Sequence, residues 1–506
     1  MTLLPGSVTS LCLLCISLAI SFILAQCIYN IAFHPLRRFP GPKLRAASRV
    51  PYALTKFRGR RTTSAKALHD QYGPVVRLAP DVLSFITSQA WIDVYGPKLS
   101  DRRGDVPKDP SVYRRIPGRP ASITSANDED HRRLRRIQAP AFSERAIAMQ
   151  EKYIQQHISI FLHKIQDLSH DPNTSNNGAI DVAHWITLLI TDIIGELAFG
   201  QDFGCLRDGA LHPWLGTISS SVRMVTIMSE VTRLPTWLVT IVRAVAVPGN
   251  LKRERGKLHE FGAQAVKRRM AMGTDRPDLM SYALKHRDEG GMSDGEIGEA
   301  ALTFIVAGSE TTASLLSGAL FLLTENPATL QKLTGIVRGG FASPSDLTLL
   351  KLQGHEYLGA VLHECLRLYP PAPDGFMRRT DERGAIVAGE IIPPHTSMSV
   401  SLYAATRSES NFHRAGEFLP ERWLKDCPPE FAGDDRAVAK PFSYGPRDCL
   451  GKTLAWAEMR LILANIIWHF DLETFPENKE WQNKQRAYFV WERQPLKLML
   501  TPRNWQ

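Results

Sequence analysis

One short stretch decides how this chain is interpreted: Phe442-Ser443-Tyr444-Gly445-Pro446-Arg447-Asp448-Cys449-Leu450-Gly451. It places Cys449 between two glycines and directly before residues 450–470, whose apolar side chains predict a largely buried helix. Unpaired backbone N–H groups and the positive end of the helix dipole favour an anion at this position. We therefore expect the Cys449 thiol to have a lowered pKa and to act as a thiolate ligand.

The neighbours of Cys449 indicate what this thiolate binds. Gly445 and Gly451 permit a close approach of the backbone to a flat ligand. Phe442 is placed to pack beside the cysteine, and Arg447 to pair with a carboxylate such as a haem propionate. A buried structural cysteine is the usual interpretation of an isolated one. Because several positions fit together here, we favour a haem ligand over that interpretation.

The pattern Phe-x-x-Gly-x-Arg-x-Cys-x-Gly resembles the haem-ligand signature of the cytochrome P450 monooxygenases, with every fixed position present between Phe442 and Gly451. This resemblance implies haem b (iron protoporphyrin IX), with Cys449 as the axial iron ligand and Arg447 as a propionate partner. It also implies O₂ activation with electrons that come from NADPH through a reductase. The implied fold is mainly α with small β-sheets.

Composition agrees with an ordered protein of a reducing compartment. The 506 residues are 44% hydrophobic and 22% charged, as in globular rather than disordered chains. Seven scattered cysteines, an odd number, argue against a disulfide framework. The net charge of +10 comes with no nucleic-acid motif or basic stripe with interleaved aromatics, so we expect no nucleic-acid partner. It suits an anionic membrane surface and an acidic electron-donor protein.

The N-terminus predicts a single membrane anchor. No Asp, Glu, Lys or Arg precedes Arg37, and residues 8–33 are long and apolar enough to span a bilayer. A cleaved signal peptide has a basic start and a shorter apolar core, neither of which is present. Basic residues follow directly, which places the body in the cytosol. The linker 39–43 resembles the proline-rich hinge of microsomal family members, which implies the endoplasmic reticulum membrane. We expect an anchor at 1–34 and one haem-thiolate catalytic domain at 35–506.

Hydrophobic periodicity predicts a mainly helical body with small β pieces near its two ends. The helical stretches include 131–169, 179–200, 296–324 and 355–368. Short β-rich runs occur in 75–87, as a hairpin, and in 385–400 and 486–501.

The segment 307–312 places polar and flexible residues inside an apolar helix, where they are costly without a purpose. We expect the helix to open locally at Gly308 and to form a groove for O₂ and water. Glu310 and Thr311 match the acid–Thr pair of the family, which implies that they are catalytic and relay protons. Without the resemblance, a kink with a capped polar pocket is an equally good interpretation.

Glu364 and Arg367 lie three residues apart on a predicted helix face, where such pairs are usually solvated and weak. In the family the corresponding pair is buried and is joined by an arginine of a later Pro-Glu-Arg segment, here Arg422. The resemblance therefore implies a structural network of these three residues that is not catalytic. Breaking such a pair costs about 3–5 kcal/mol when a charge is left buried.

Two further segments carry candidate propionate-binding residues. The run 131–136 is dense in positive charge, and its plainest interpretation is an exposed basic helix face. The family usually has Trp-x-x-x-Arg here, which implies propionate contacts from His131, in the place of Trp, and from Arg135. Arg378 aligns with another propionate-binding arginine, with the adjacent Arg379 as the alternative register. Three residues before Arg378 are then expected to line the substrate pocket: Asp374, Phe376 and Met377.

The substrate is constrained only to a class. Residues 29–36, 68–77 and 131–142 resemble one fungal branch of the family, whose members act in mycotoxin and other secondary-metabolite pathways. This implies a lipophilic terpenoid or polyketide-derived substrate. A haem-thiolate isomerase, dehydratase or desaturase on the same scaffold is the alternative. The apolar segment 234–247 is either a packed core helix or a lid that dips into the membrane.

Overall fold

A computed structural model describes residues 5–97, 106–113, 118–170, 178–212, 216–233, 239–240, 260, 262–287 and 291–503. The segment 234–247 lies outside the described residues, apart from 239 and 240. Its role as a lid or a core helix therefore stays a prediction.

The named helices of the body and of the N-terminal segment follow in chain order: α1 Pro5–Ala32, α2 Lys43–Ala47, α3 Val50–Phe57, α4 Arg61–Tyr72, α5 Ser88–Tyr95, α6 Asp128–Gln138, α7 Glu144–His170, α8 Val182–Phe199, α9 Cys205–Asp208, α10 Gly216–Val231, α11 Ser281–Lys285, α12 Asp294–Thr324, α13 Pro327–Gly340, α14 Leu349–Gln353, α15 Glu356–Leu368, α16 Leu402–Thr406, α17 Lys452–His469 and α18 Trp481–Lys484.

The strands are short and form four small sheets: β1 Val75–Ala79, β2 Val82–Phe85, β3 Ala179–Asp181, β4 Arg378–Arg379, β5 Ala385–Val387, β6 Glu390–Ile392, β7 Ser397–Val400, β8 Phe470–Thr474, β9 Arg486–Tyr488, β10 Val490–Glu492 and β11 Lys497–Pro502. The strand orders are β1-β2-β7-β4, β10-β9, β3-β11-β8 and β5-β6. The predicted hairpin is confirmed, since β1 pairs antiparallel with β2. The sequence prediction of a mainly α fold with small β-sheets is confirmed as well.

Two predicted helical stretches are interrupted. The stretch 131–169 is divided between α6 and α7 by the 3₁₀ turn Ala139–Phe142, because Pro140 has no N–H to continue the α-helical ladder. The stretch 179–200 begins as strand β3 before α8 starts at Val182. The side chain of Asp181 caps this helix by accepting a hydrogen bond from the His184 N–H.

Most of helix α1 is exposed. It includes a candidate membrane span, Thr9–Ala32, whose apolar window has no buried residue. The end of the helix contacts the body, since Asn30 is buried and its side chain donates to the Ala47 carbonyl oxygen at 2.8 Å. Helices α8 and α12 are also long and apolar enough to cross a membrane, but 83% and 72% of their apolar windows are buried inside the body. They pack against each other at the centre of the largest hydrophobic core, so their apolar character is explained by that core.

Candidate functional site

Cys449 lies in the turn that leads into α17. Its backbone N–H donates to the Phe442 carbonyl oxygen at 2.8 Å, and Gly451 forms the N-terminal boundary of the helix. The cysteine is exposed, yet the surrounding protein desolvates the thiol enough to raise its pKa, so it lies on the wall of a cleft. The sequence prediction of a lowered pKa is therefore wrong for the protein alone. Burial outweighs the hydrogen bond from Gly451, whereas coordination to a metal ion deprotonates a thiol outright.

The two glycines beside Cys449 have different roles. Gly445 has a φ of +79°, and a Cβ on it would lie 2.0 Å from the Tyr95 carbonyl oxygen, so close packing against α5 requires glycine. Among the described residues, a Cβ on Gly451 would contact only the Phe142 ring, at 3.9 Å. Protein packing thus does not require glycine at Gly451, and a Cβ there would extend into space next to Cys449. This space fits the close approach of a flat prosthetic group.

A cluster of cations lies near this cleft. His131, Arg378 and Arg447 are joined there by Lys108, which sequence reasoning missed because a lone lysine carries no motif. Burial, and then the charges of Arg447, Lys108 and Arg135, lower the pKa of His131 to about 4. Burial and the two arginines Arg447 and Arg378 likewise lower the pKa of Lys108 to about 7. The positive charges of Lys108, Arg378 and Arg447 therefore destabilise one another and keep His131 neutral near pH 7.

Two nitrogen atoms of the cluster, Arg378 Nε and Arg447 Nη1, are buried. Neither has a hydrogen-bond partner among the described residues. Another nitrogen of Arg447 donates to the Asp128 carboxylate at 2.7 Å. Mutually repelling cations with unpaired buried donors fit an anionic ligand, and the two propionates of haem meet that requirement. The residues present therefore fit haem.

Arg135 is engaged elsewhere. It donates to the Asp448 carbonyl oxygen at 2.8 Å and forms an ion pair with the Asp448 carboxylate. This contact ties α6 to the residue before Cys449. The propionate contact inferred for Arg135 stays a prediction, and in the structure this arginine supports the cysteine turn.

Helix α12 carries the Glu310–Thr311 pair and is continuous from Asp294 to Thr324. The predicted opening at Gly308 is therefore wrong. A Cβ on Gly308 would lie 2.9 Å from Ile194 Cδ1, so this glycine serves the close packing of α8 against α12. The hydroxyl of Thr311 donates back to the Ala307 carbonyl oxygen at 2.6 Å. Such back-bonding satisfies a polar side chain inside a helix without breaking it.

One face of α12 is accessible around residues 306–311. Val306 and Ala307 are exposed and Gly308, Glu310 and Thr311 are partly accessible, whereas every residue from 312 to 324 is buried. The Phe304 ring packs edge-on against Phe142, with 5.3 Å between ring centroids. Because Phe142 is also the neighbour of Gly451, α12 approaches the cysteine turn at this level.

Glu310 pairs with Arg493, which no sequence motif indicated. The two side chains are 3.0 Å apart, and Arg493 also donates to the Glu310 carbonyl oxygen at 2.9 Å and to Ser314 Oγ at 2.6 Å. A cavity of about 270 Å³ reaches Glu310 on this side, with polar lining residues that include His184 and Thr187. Glu310 thus lines this cavity and directly precedes Thr311 on α12.

Glu364, Arg367 and Arg422 meet in the interior, and none of their side chains is accessible. Arg367 donates to both Glu364 carboxylate oxygens at 2.8 Å, and Arg422 Nε donates to Glu364 Oε1 at 3.2 Å. Trp423 and Asp434, which carried no sequence signal, complete the set through a 2.8 Å bond to Glu364 and an ion pair with Arg422.

The expected pocket residues before Arg378 have protein partners. Asp374 is buried and lies 3.6 Å from Arg61 Nε, and Met377 is buried with its sulfur 3.6 Å from the same guanidinium. Phe376 packs edge-on against Phe489. A role in lining the substrate pocket stays a prediction for all three.

The mainly α fold, the accessible cysteine at a helix start and the cation cluster fit the class of haem-thiolate proteins. A sequence model described as "Cytochrome P450" matches residues 51–500, and the chain belongs to this family, whose cofactor is haem iron. It is 40% identical over 489 residues to "Cytochrome P450 monooxygenase lcsI" of Purpureocillium lilacinum, covering 96% of this chain and 93% of the relative. It is also 40% identical over 483 residues to "Averantin hydroxylase" of Dothistroma septosporum, covering 94% and 88%. The chain is a cytochrome P450 monooxygenase similar to those of fungal secondary metabolism.

Proposed function

We propose that this enzyme hydroxylates a lipophilic, polyketide- or terpenoid-derived intermediate of fungal secondary metabolism, with electrons from NADPH delivered by a reductase. The Glu310–Thr311 pair on the accessible face of α12 carries the proposal, because O₂ activation consumes protons that these side chains can supply. The similarity to an averantin hydroxylase supports a hydroxylation. The exposed helix α1 supports an anchor at 1–34 in the endoplasmic reticulum membrane, with residues 35–506 as one cytosolic catalytic domain.

Different residues of the chain would bind different parts of the prosthetic group. Cys449 would hold the haem iron, and His131, Arg378 and Arg447 would hold its propionates. When bound, haem supplies the iron at which O₂ is activated and a substrate C–H bond is oxidised. His131 donates as a neutral imidazole, since its pKa of about 4 leaves it uncharged near neutral pH.

Proton delivery then runs along α12. The Thr311 hydroxyl can leave the Ala307 carbonyl oxygen and donate a proton on the accessible face of the helix. Glu310 replaces that proton from the cavity that it lines together with His184 and Thr187. Arg493 keeps the Glu310 carboxylate at the boundary between this cavity and the helix, and so orients it for the exchange.

The reaction itself is tested with the full-length enzyme in lipid nanodiscs, with a reductase, NADPH and heavy-isotope O₂. Averantin is the first probe, and an extract from a host strain that lacks the gene is the second. We expect an NADPH-dependent product that carries one labelled oxygen atom. An unlabelled product, or turnover without NADPH and O₂, would contradict a hydroxylation and support the isomerase, dehydratase or desaturase alternative.

The proton role predicts the behaviour of Thr311→Ala and Glu310→Gln. We expect product formation to fall on the order of 10²-fold, because a general acid is lost, while NADPH consumption continues and yields hydrogen peroxide. Thr303→Ala is the matched control, since Thr303 donates to the Glu299 carbonyl oxygen at 2.7 Å on the same helix. Equal product yield per NADPH in all four proteins, wild type included, would contradict the assigned roles.

A further inference from the structure

Arg61 and Asp374 form an ion pair that the mechanism above does not use. Arg61 is the first residue of α4, and Asp374 lies in the segment that leads to β4. Arg61 Nε is 3.6 Å from Asp374 Oδ2, too far for a hydrogen bond, and the Asp374 carboxylate accepts no hydrogen bond from the described residues. Arg61 Nε is itself buried and has no hydrogen-bond partner there. Both groups thus lack a hydrogen bond where they face each other.

The pair of Arg367 and Glu364 shows how a closed ion pair is built in this protein. Arg367 donates to both carboxylate oxygens at 2.8 Å, and neither side chain is accessible. The side chains of Arg61 and Asp374 instead keep 14% and 8% of their surface accessible. The contact of Arg61 Nη2 with Ser399 Oγ is also long, at 3.5 Å. The pair of Arg61 and Asp374 is therefore both incomplete and within reach of a ligand.

The backbone beside Asp374 is fixed by close packing. A Cβ on Gly375 would lie 2.0 Å from the Val400 carbonyl oxygen, so the segment lies directly against β7. The Tyr95 hydroxyl donates to the Phe376 carbonyl oxygen at 2.7 Å. These contacts hold the segment in place from α5 and β7, so the backbone does not move to close the gap to Arg61.

The gap lies near the candidate haem site. Met377, whose sulfur is 3.6 Å from Arg61 Nη2, directly precedes Arg378 of the cation cluster. The four residue steps from Asp374 to Arg378 span at most about 14 Å when fully extended. A small molecule bound next to the haem can therefore extend to Arg61 and Asp374.

We propose that Arg61 and Asp374 form a subsite that binds a hydroxyl group of the substrate. The hydroxyl oxygen accepts a hydrogen bond from Arg61 Nε, and the hydroxyl proton is donated to the Asp374 carboxylate. One neutral group thus supplies both missing hydrogen bonds. An anion is repelled by Asp374 and a cation by Arg61. The lipophilic character of the rest of the ligand rests on the proposed function.

The first measurement compares three probes that share one lipophilic ring system, 2-naphthol, 2-methoxynaphthalene and 2-naphthoate. Equilibrium dialysis of the full-length holoenzyme in lipid nanodiscs, corrected with empty nanodiscs, gives their dissociation constants without turnover. We expect 2-naphthol to bind about 10-fold or more tightly than the other two, because neither of them has a proton to donate to Asp374. Equal affinity for 2-naphthol and 2-methoxynaphthalene, or tighter binding of 2-naphthoate, would overturn the proposal.

The second measurement repeats the comparison in variants. Arg61→Leu/Asp374→Leu removes both charges at once, so no unpaired charge is left buried, and it should lose the preference for 2-naphthol. Lys66→Ala/Asp70→Ala removes an exposed ion pair of the same helix and should keep the preference. Asp374→Asn, which has nearly the same shape as the wild type, should weaken it, since a hydrogen bond to a neutral amide replaces one to a carboxylate. A full preference in Asp374→Asn and in the double leucine variant would show that only water occupies the gap, which would overturn the subsite.

The subsite and the proposed hydroxylation fail separately. If the wild type prefers 2-naphthol through Arg61 and Asp374 but forms no labelled product in the turnover assay, the subsite stands and the hydroxylation is wrong. If labelled product forms but the preference for 2-naphthol is absent, the hydroxylation stands and the subsite is wrong.

Discussion

Single residues near Cys449 act through charge. Lys108, Arg378 and Arg447 bring like charges together beside the neutral His131, and two of the arginine nitrogen atoms are buried without a partner among the described residues. Placing such groups together lowers the free energy of unfolding, and an anionic ligand that binds them raises it again. Haem binding and folding of this region are therefore expected to be coupled.

Arg378→Leu tests this coupling and the register of the motif. Because Arg378 is buried with an unpaired Nε, its loss should weaken haem binding by roughly 1.5–3 kcal/mol, the worth of a hydrogen bond to a charged group. The measurement is the haem content and haem dissociation rate of the purified protein. Arg379→Leu is the control, since Arg379 is only partly buried on the same strand, β4. A larger effect from Arg379→Leu would assign the propionate contact to that residue instead.

At the scale of elements, sequence reasoning succeeded where a physical signal is local. The apolar period of α12 predicted a helix over 296–324, and the structure has Asp294–Thr324, with the Ser293–Glu296 capping box at its start. The same reasoning wrongly predicted an opening of the helix at Gly308, because the sequence does not show which residue of another helix packs against a glycine. Glycine is needed at this position because Ile194 on α8 packs against it, and this contact forms only when the chain folds.

In the candidate site, too, residues with a local sequence motif could be predicted and residues that act through contacts between distant segments could not. Cys449, Glu310 and Thr311 could be predicted as site residues because their motifs are short and contiguous. Arg493 was missed because it meets α12 from a distant part of the chain, at Glu310. The raised pKa of Cys449 was missed for a related reason, since burial by distant segments outweighs the local helix start.

At the scale of the whole molecule, the buried Glu364 network joins segments that are far apart in sequence. Arg367 donates to the carbonyl oxygens of Thr406, Ala415 and Glu417 at 2.7 to 2.8 Å, in addition to its bonds to Glu364. One guanidinium thus fixes the end of α15, the end of α16 and the loop that leads to the cysteine turn. The site depends on the whole fold through contacts of this kind.

Arg367→Ala should therefore yield protein without haem. The change leaves the Glu364 charge without its main partner, at a cost of about 3–5 kcal/mol, which is a large part of the stability of a typical domain. Haem content per polypeptide and the midpoint of urea unfolding measure the effect. Arg414→Ala is the matched control, because Arg414 forms an exposed pair with Glu417 at the same i,i+3 spacing. Normal haem incorporation in Arg367→Ala would refute the structural role.

The central claim is that Cys449 binds the haem iron as a thiolate, and the absorption spectrum of the reduced, CO-bound protein tests it most directly. We predict the red-shifted band of a thiolate ligand for the wild type and for the control Cys427→Ala, which removes a partly buried cysteine whose sulfur accepts a hydrogen bond from Arg436. Cys449→Ala should lose that band. A wild-type protein without the band, or a Cys449→Ala protein that keeps it, would contradict the account.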